Sequence, residues 1–321
     1  MSIFEKAFEK ADKISGKSPA DDFSDIQDYD EEDGSESAFL GVEGSAGAAD
    51  SDVWLESLDE SQPYTGSGKL VELDLSGLKA AGLVDPRSKE VNRTTEEFRR
   101  IKRPLLMNVR GEGASVVPNA NMIMVSSALA GEGKTFTSIN LAMSIAMEMD
   151  RTVLLVDADV AKPDVTARLG VEAEKGLIDV LLDDGLTLQD VLLRTDIPKL
   201  TLLPSGGRHV HSTELLASER MLELTRELSS RYSDRIVIFD TPPLLLTSEA
   251  RVLAGLMGQI VIVVEESITP QHAVKEAVES LQDNEIVGIV MNKGGRSPGG
   301  EQYGGYGGYG YGYGKNIYGR G

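Results

Sequence analysis

The chain has 321 residues, 40% of them hydrophobic, enough for one substantial core. Its 52 acidic against 32 basic residues give a formal net charge of −20, and no basic stripe is visible, which excludes a nucleic-acid backbone as the expected partner. With no cysteine, disulfides, thiolate zinc sites and thiol nucleophiles are excluded together, and a reducing compartment fits.

The charge is uneven. Residues 1–60 carry 18 Asp and Glu against four Lys, so most of the excess sits at the amino end. Ile3, Phe4, Ala7, Phe8 and Ala11 recur at helical spacing and predict a short amphipathic docking helix over residues 3–13. The stretch from Ser15 to about residue 68 is rich in Asp, Glu, Ser and Gly and is expected to be a disordered tether. The amino terminus is too charged for a secretory signal. No apolar run approaches the roughly 20 residues that span a bilayer, so the expectation is a cytoplasmic protein.

Order is expected from Lys69, with Leu70, Leu73 and Leu75 in a short strand or turn. A helix is expected over residues 89–110, disturbed at Pro104. From Asn121 onward apolar runs alternate with helical stretches. The runs are Met122 to Val125, Val153 to Val156, Leu200 to Leu203, Ile236 to Phe239, Ile260 to Val264 and Ile286 to Met291. Between them, helices are expected over Thr135 to Met149, in short pieces as far as Leu193, over Thr213 to Arg231, after Thr247 and over Gln271 to Gln282. Continuous apolar strands separated by helices predict an α/β fold, a doubly wound and mainly parallel sheet covered on both faces. The organised domain is expected over residues 69–298.

Past Lys293 the composition changes. Residues 294–321 contain 13 of the 34 glycines and six of the nine tyrosines, Tyr303, Tyr306, Tyr309, Tyr311, Tyr313 and Tyr318. A flexible Gly/Tyr-rich tail is expected over residues 299–321.

Three strand ends carry the chemistry. Met122 to Val125 leads into Ala128-Leu129-Ala130-Gly131-Glu132-Gly133-Lys134-Thr135, a P-loop in which glycines let backbone N–H groups converge on phosphate at a helix amino terminus. Ala128 stands where the pattern usually begins with Gly. Val153 to Val156 runs into Asp157-Ala158-Asp159, and Ile236 to Phe239 runs into Asp240-Thr241-Pro242. An Asp at a strand end can simply cap the next helix, but three such strand ends in one chain point to a single nucleotide site. His209 and His211 form an H-x-H without an evident third ligand, which argues against metal there; Ser212 or Thr213 is the expected cap of the following helix.

Together these motifs resemble the bacterial tyrosine autokinases (BY-kinases) of exopolysaccharide and capsule production, over roughly residues 70–321. The matching segments are Gly131-Glu132-Gly133-Lys134-Thr135 as the first Walker motif, Leu154 to Asp159 as the second, Asp240-Thr241-Pro242 as Walker B, and the tyrosine cluster. The fold implied is a P-loop NTPase of the MinD-like branch. The resemblance implies ATP and Mg²⁺ as ligands, with Gly131, Glu132, Gly133, Lys134, Thr135 and Phe136 around the nucleotide and Asn292 at the adenine. It implies Thr135, Asp157 and Asp240 about the metal, Lys134 on the transferring phosphate, and Asp159 as acceptor of the tyrosine proton. A phenol, with a pKa of about 10, needs such help to attack phosphorus at neutral pH. The implied acceptors are the six tail tyrosines. Departures are Ala161, where the family usually has Arg, with Lys162 beside it, and Ala130, where Pro is common.

The family's E-x-x-R-x-x-R helix, which packs subunits into a ring for phosphorylation in trans, is matched by Glu97, Arg100 and Arg103. Aligning Phe98 with the usual aromatic would select Glu96, Arg99 and Lys102, and an exposed helix with i,i+3 ion pairs reads the same residues without a ring. The implied partners are further copies of the chain, a membrane chain-length determinant (polysaccharide co-polymerase) that recruits and activates it at the inner membrane, and a phosphotyrosine phosphatase. The alternative is a ParA- or MinD-like positioning ATPase. That class carries a lysine near the start of the loop, where this chain has Leu129, and has no evident use for a Gly-Tyr tail.

Overall fold

Val, Ile, Leu and Met fill the central strand segments, and successive strand side chains point to opposite faces of a sheet, so such runs are stable only where both faces are covered. The computed structural model describes residues 69–88, 92–113, 116–230, 234–281, 284 and 286–294. The expected amphipathic helix at 3–13, the acidic segment to residue 68 and the tyrosine tail lie outside the described residues.

The eight strands are β1 (Leu70–Val71), β2 (Met122–Ser127), β3 (Thr152–Asp157), β4 (Leu193–Thr195), β5 (Leu200–Leu203), β6 (Arg235–Asp240), β7 (Gln259–Glu265) and β8 (Val287–Asn292). They form one sheet in the order β1-β4-β5-β3-β6-β2-β7-β8, parallel throughout except for the antiparallel β4–β5 pair. This is the doubly wound α/β fold expected. Among the described residues no helix is long and apolar enough to cross a membrane.

The alternation along the strands builds two cores. Ile123, Val125, Val153, Leu155, Ile236, Ile238, Val261 and Val263 face one side, beneath helices α2 (Arg93–Val109) and α3 (Lys134–Ala146). Met122, Met124, Leu154, Val156, Val237, Phe239, Ile260 and Ile262 face the other. That side is covered by α5 (Leu177–Leu182), α6 (Leu188–Val191), α7 (Ser212–Leu216), α8 (Glu219–Ser230), α9 (Ser248–Ala254) and α10 (Gln271–Glu279). The two remaining helices, α1 (Leu75–Ala80) and α4 (Val165–Leu169), add Leu78, Val165 and Leu169 to the α2–α3 side.

Helix α2 is capped by Asn92, whose side chain accepts from the Thr95 N–H at 2.8 Å, and it passes through Pro104 to Val109. The expected disturbance at Pro104 does not end the helix. Its second half is pinned from outside: Leu105 and Leu106 are buried, and the Gln259 side chain donates to the Leu105 carbonyl at 3.1 Å while accepting from Asn108 at 2.7 Å. These contacts hold the second half of the helix in place although the proline ring offers no N–H to the Arg100 carbonyl.

Three further expectations are corrected. The Thr213–Arg231 helix is two helices, α7 and α8, parted at Ala217 and Ser218, where the Ser218 hydroxyl donates to the Leu215 carbonyl and accepts from the Met221 N–H. Neither Ser212 nor Thr213 caps α7. The cap position is His211, while Ser212 donates back to the His209 carbonyl and Thr213 donates to Glu249. Finally β4, too short for its period to register, begins at Leu193, where the expected short helices end, and runs to Thr195, where no element was expected.

Candidate active site

The strand order sets β3, β6 and β2 side by side, so their carboxyl ends form one shelf. Asp157 at the end of β3 is the register partner of Asp240 at the end of β6, and Asp240 in turn pairs with Val125 of β2, just before the phosphate loop. Loop 128–133 then delivers Lys134 and Thr135 as the first residues of α3. Its turn depends on two glycines with left-handed backbones, Gly131 at φ +88° and Gly133 at φ +98°. At Gly133 a Cβ would collide with the Asn292 amide nitrogen, so a larger residue would have to displace that side chain as well as adopt the left-handed backbone. Ala128 has no positive φ and is fully buried in apolar surroundings, which explains why the first position tolerates a methyl group.

The structure brings Lys134, Thr135, Asp157, Asp159 and Asp240 together. The Lys134 ammonium donates to Asp159 Oδ2 at 2.5 Å, and Asp159 Oδ1 accepts from the Lys162 N–H at 3.0 Å. Asp240 is fully buried, accepting from the Thr135 hydroxyl at 2.7 Å and from the Ser138 hydroxyl at 2.9 Å. Asp157 Oδ2 accepts from the N–H groups of Asp164 and Val165, whereas its Oδ1 is buried without a hydrogen-bond partner. Burial pushes the Asp157 carboxyl up to about 7, reinforced by the Asp240 charge, and pushes Asp240 up to about 6 against the opposing pull of Lys134, Thr135 and Ser138.

An unpartnered buried carboxylate oxygen beside a second carboxylate and a threonine hydroxyl suits a small divalent cation. Among the described residues no three His, Asp or Glu side chains form a metal site by themselves. A cation here would therefore complete its shell with phosphate oxygens and water, the usual habit of magnesium.

Glu132 is folded into the loop, accepting from the Leu129 N–H at 2.6 Å and from the Thr269 hydroxyl. Asn292 donates its amide to the Glu132 carbonyl at 2.9 Å, and Lys293 donates to the Gly131 carbonyl at 2.8 Å and to Glu265 Oε2 at 2.9 Å. A groove of about 1000 Å³ opens beside this corner between α2 and β8, lined among others by Phe98, Ile101, Phe136, Met291 and Asn292. The Phe98 and Phe136 rings meet edge to face at 6.3 Å.

Residues 120–284 match an AAA domain family. YwqD of Bacillus subtilis, named a tyrosine-protein kinase, is 33% identical to the chain over 200 residues, which cover 62% of the chain and 80% of YwqD. The chain belongs to the bacterial tyrosine-protein kinase family. The crystal structure of the VpsO kinase domain superposes on the kinase with a TM-score of 0.53 at 28% identity, covering 62% of the kinase and 95% of that domain. ExoP of Rhizobium meliloti, named a succinoglycan biosynthesis transport protein, is 32% identical over 54% of the kinase but over only 22% of its own length.

The kinase also places the α2 residues. Glu97 is exposed and pairs with Arg93 at 2.7 Å, and Arg100 and Arg103 are exposed on the same helix. In the alternative register Glu96 pairs with Arg99 at 2.5 Å, but Lys102 is buried, donating to the Ser144 carbonyl at 2.5 Å and pairing with Glu148 at 2.6 Å. Lys102 therefore belongs to the packing of α2 on α3, and the exposed set is Glu97, Arg100 and Arg103. The six tail tyrosines lie outside the described residues. Sequence reasoning missed Ser138, Thr269 and Lys293. Ser138 had a signal, four residues after Lys134 on one helix face; Thr269 and Lys293 reach the loop only through the turns after β7 and β8, which no local pattern marks.

Proposed function

We propose that this kinase transfers the γ-phosphoryl group of Mg-ATP to tyrosines of its own carboxyl-terminal cluster, Tyr303, Tyr306, Tyr309, Tyr311, Tyr313 and Tyr318. The single observation that carries the reading is the shelf on which Lys134, Asp157, Asp159 and Asp240 meet at the mouth of the phosphate loop. The triphosphate lies along Gly131, Glu132, Gly133, Lys134 and Thr135, with Phe136 and Asn292 flanking the base in the groove beside α2. Thr135, Asp157 and Asp240 would hold magnesium, which would supply positive charge to neutralise the phosphates. Lys134 leaves Asp159 for the transferring phosphate. Asp159 is then free to take the phenolic proton as the tyrosine oxygen bonds to phosphorus and the bond to the ADP oxygen breaks.

Transfer runs in trans between copies assembled through Glu97, Arg100 and Arg103. The kinase acts in exopolysaccharide production, a role supported by its similarity to ExoP, a succinoglycan biosynthesis transport protein. Its activator is a membrane chain-length protein that recruits it to the inner membrane, and a phosphotyrosine phosphatase resets the tail. A positioning ATPase is less well supported, because Leu129 packs against the apolar core where that class carries a lysine.

The test mixes two forms. Full-length Lys134→Met serves as substrate and a wild-type kinase domain lacking residues 299–321 serves as enzyme, with Mg-ATP and the activator. Phosphotyrosine on the Lys134→Met tail, mapped by tandem mass spectrometry, is the expected result. No phosphotyrosine in any mixture, the intact wild type included, sinks the kinase reading; label confined to the intact wild type sinks only transfer in trans.

A further inference from the structure

Asn292 and Lys293 are consecutive residues, yet each reaches a different peptide of the phosphate loop. The Asn292 amide donates to the Glu132 carbonyl and the Lys293 ammonium to the Gly131 carbonyl. A trans peptide is planar, with its N–H opposite its C=O, and no peptide among the described residues is cis. Holding the Gly131 carbonyl toward Lys293 therefore turns the Glu132 N–H the other way. Holding the Glu132 carbonyl toward Asn292 does the same for the Gly133 N–H. Gly131 and Gly133 have no side chains to resist rotation of these planes, and within the loop the Glu132 carboxylate, through its bond from the Leu129 N–H, holds the residue between them rather than either carbonyl.

The anchor has its own support. Lys293 adopts a left-handed backbone at φ +60°, uncommon for a residue with a side chain, and its ammonium is held on the far side by Glu265 at 2.9 Å. Glu265 ends β7 and its N–H donates to the Thr269 hydroxyl, which in turn donates to Glu132. One closed circuit thus joins the ends of β7 and β8 to the apex of the loop.

We propose that Asn292 and Lys293 are positioning residues for the phosphates: they orient the Glu132 and Gly133 peptides so that both N–H groups face the nucleotide. Asn292 then acts through the loop, and its effect extends to ligands that have no base. The inference rests on the nucleotide-binding part of the function proposed above, and its test reads binding without phosphotyrosine.

The probe is inorganic triphosphate, set beside ATP, with dissociation constants measured calorimetrically on the full chain with magnesium. Asn292→Leu and Lys293→Met are each expected to weaken both ligands by about fivefold to tenfold, the scale of one lost hydrogen bond, with the unfolding midpoint unchanged. Lys293→Arg restores most of the affinity. If Asn292 served only the adenine, Asn292→Leu would weaken ATP and leave triphosphate untouched, and that result overturns its assignment. Glu265→Ala separates orientation from simple charge. A long-range field predicts tighter triphosphate binding once a negative charge is gone, whereas loss of the Lys293 anchor predicts weaker binding; tighter binding overturns the role of Lys293. Wild type that binds triphosphate but makes no phosphotyrosine would reject the kinase reading and leave this one standing.

Discussion

Asp157 and Asp240 are held in a protein interior that favours their protonated forms, and this sets a pH dependence. Free carboxyls of this kind titrate near 3.9 in an unfolded chain. In the folded state Asp157 titrates at about 7 and Asp240 at about 6. The folded state therefore binds more protons than the unfolded one between these limits, and stability falls as pH rises through that window. In metal-free buffer the urea midpoint should be lower at about pH 8 than at about pH 5.5, by an amount equivalent to a few kcal/mol. Asp157→Asn removes the larger part of that loss and raises stability at the higher pH, although it abolishes phosphotyrosine formation. A variant no more stable than wild type at about pH 8 would refute the assignment. Magnesium should reduce the pH dependence of wild type more than that of the variant.

At the scale of elements, the seam between α2 and the sheet depends on one fully buried amide. The Gln259 side chain donates to the carbonyls of Leu105 and Ala120 and accepts from Asn108. Gln259→Leu leaves all three groups without their partner, and a loss of about 2–4 kcal/mol in unfolding free energy is expected. Chemical denaturation measures it; a loss below about 1 kcal/mol would mean that the seam repacks. The outer face of α2 carries a separate prediction. Charge reversal at Arg100 and Arg103 is expected to abolish self-association in analytical ultracentrifugation, and reversal at Arg103 alone, which does not line the groove beside α2, to weaken it while leaving ATP affinity within about twofold. If the oligomer persists, the arginines are only solvated surface.

The elements also show where sequence reasoning succeeds. The strands that carry the site were legible because residues such as Ile123, Leu154 and Ile238 continue apolar runs that only a two-faced sheet can bury. Lys134, Asp157 and Asp240 followed from them as strand-end residues. What was not legible depended on distant contacts. Pro104 marked a disturbance because the support for the helix beyond it comes from Gln259, more than 150 residues away. The break between α7 and α8 rests on one hydroxyl, and β4 is three residues long. The register of the α2 motif was ambiguous until Lys102 was found under Glu148 and Ser144.

For the whole molecule, the end of β8 matters most, because the segment that leads to the tyrosine cluster begins where the phosphate loop is braced. β8 closes one edge of the sheet, and four strand spacings separate it from β3 and its Asp157-Ala158-Asp159 end. At about 4.8 Å per spacing that is roughly 19 Å. A chain extends at most about 3.3–3.6 Å per residue and a tyrosine side chain adds roughly 6 Å, so a tyrosine among the first three residues past Lys293 cannot bring its hydroxyl to the subunit's own Asp159. Lys293 is thus the zero mark of a ruler, and Tyr303, ten residues along, is the first of the proposed acceptors past its minimum reading. Deleting residues 295–302 moves Tyr303 to within about 7 Å of that mark. Where a tail serves its own subunit's site, phosphate should then vanish from Tyr303 and persist on Tyr311, Tyr313 and Tyr318, as site-resolved mass spectrometry would record; in the transfer in trans proposed above, the neighbour's site sets the zero. Continued labelling of Tyr303 would mean that the zero lies elsewhere. The spacing of tyrosines along the chain would then be a record of distance, each one an acceptor only for an active site that lies within its length of tether.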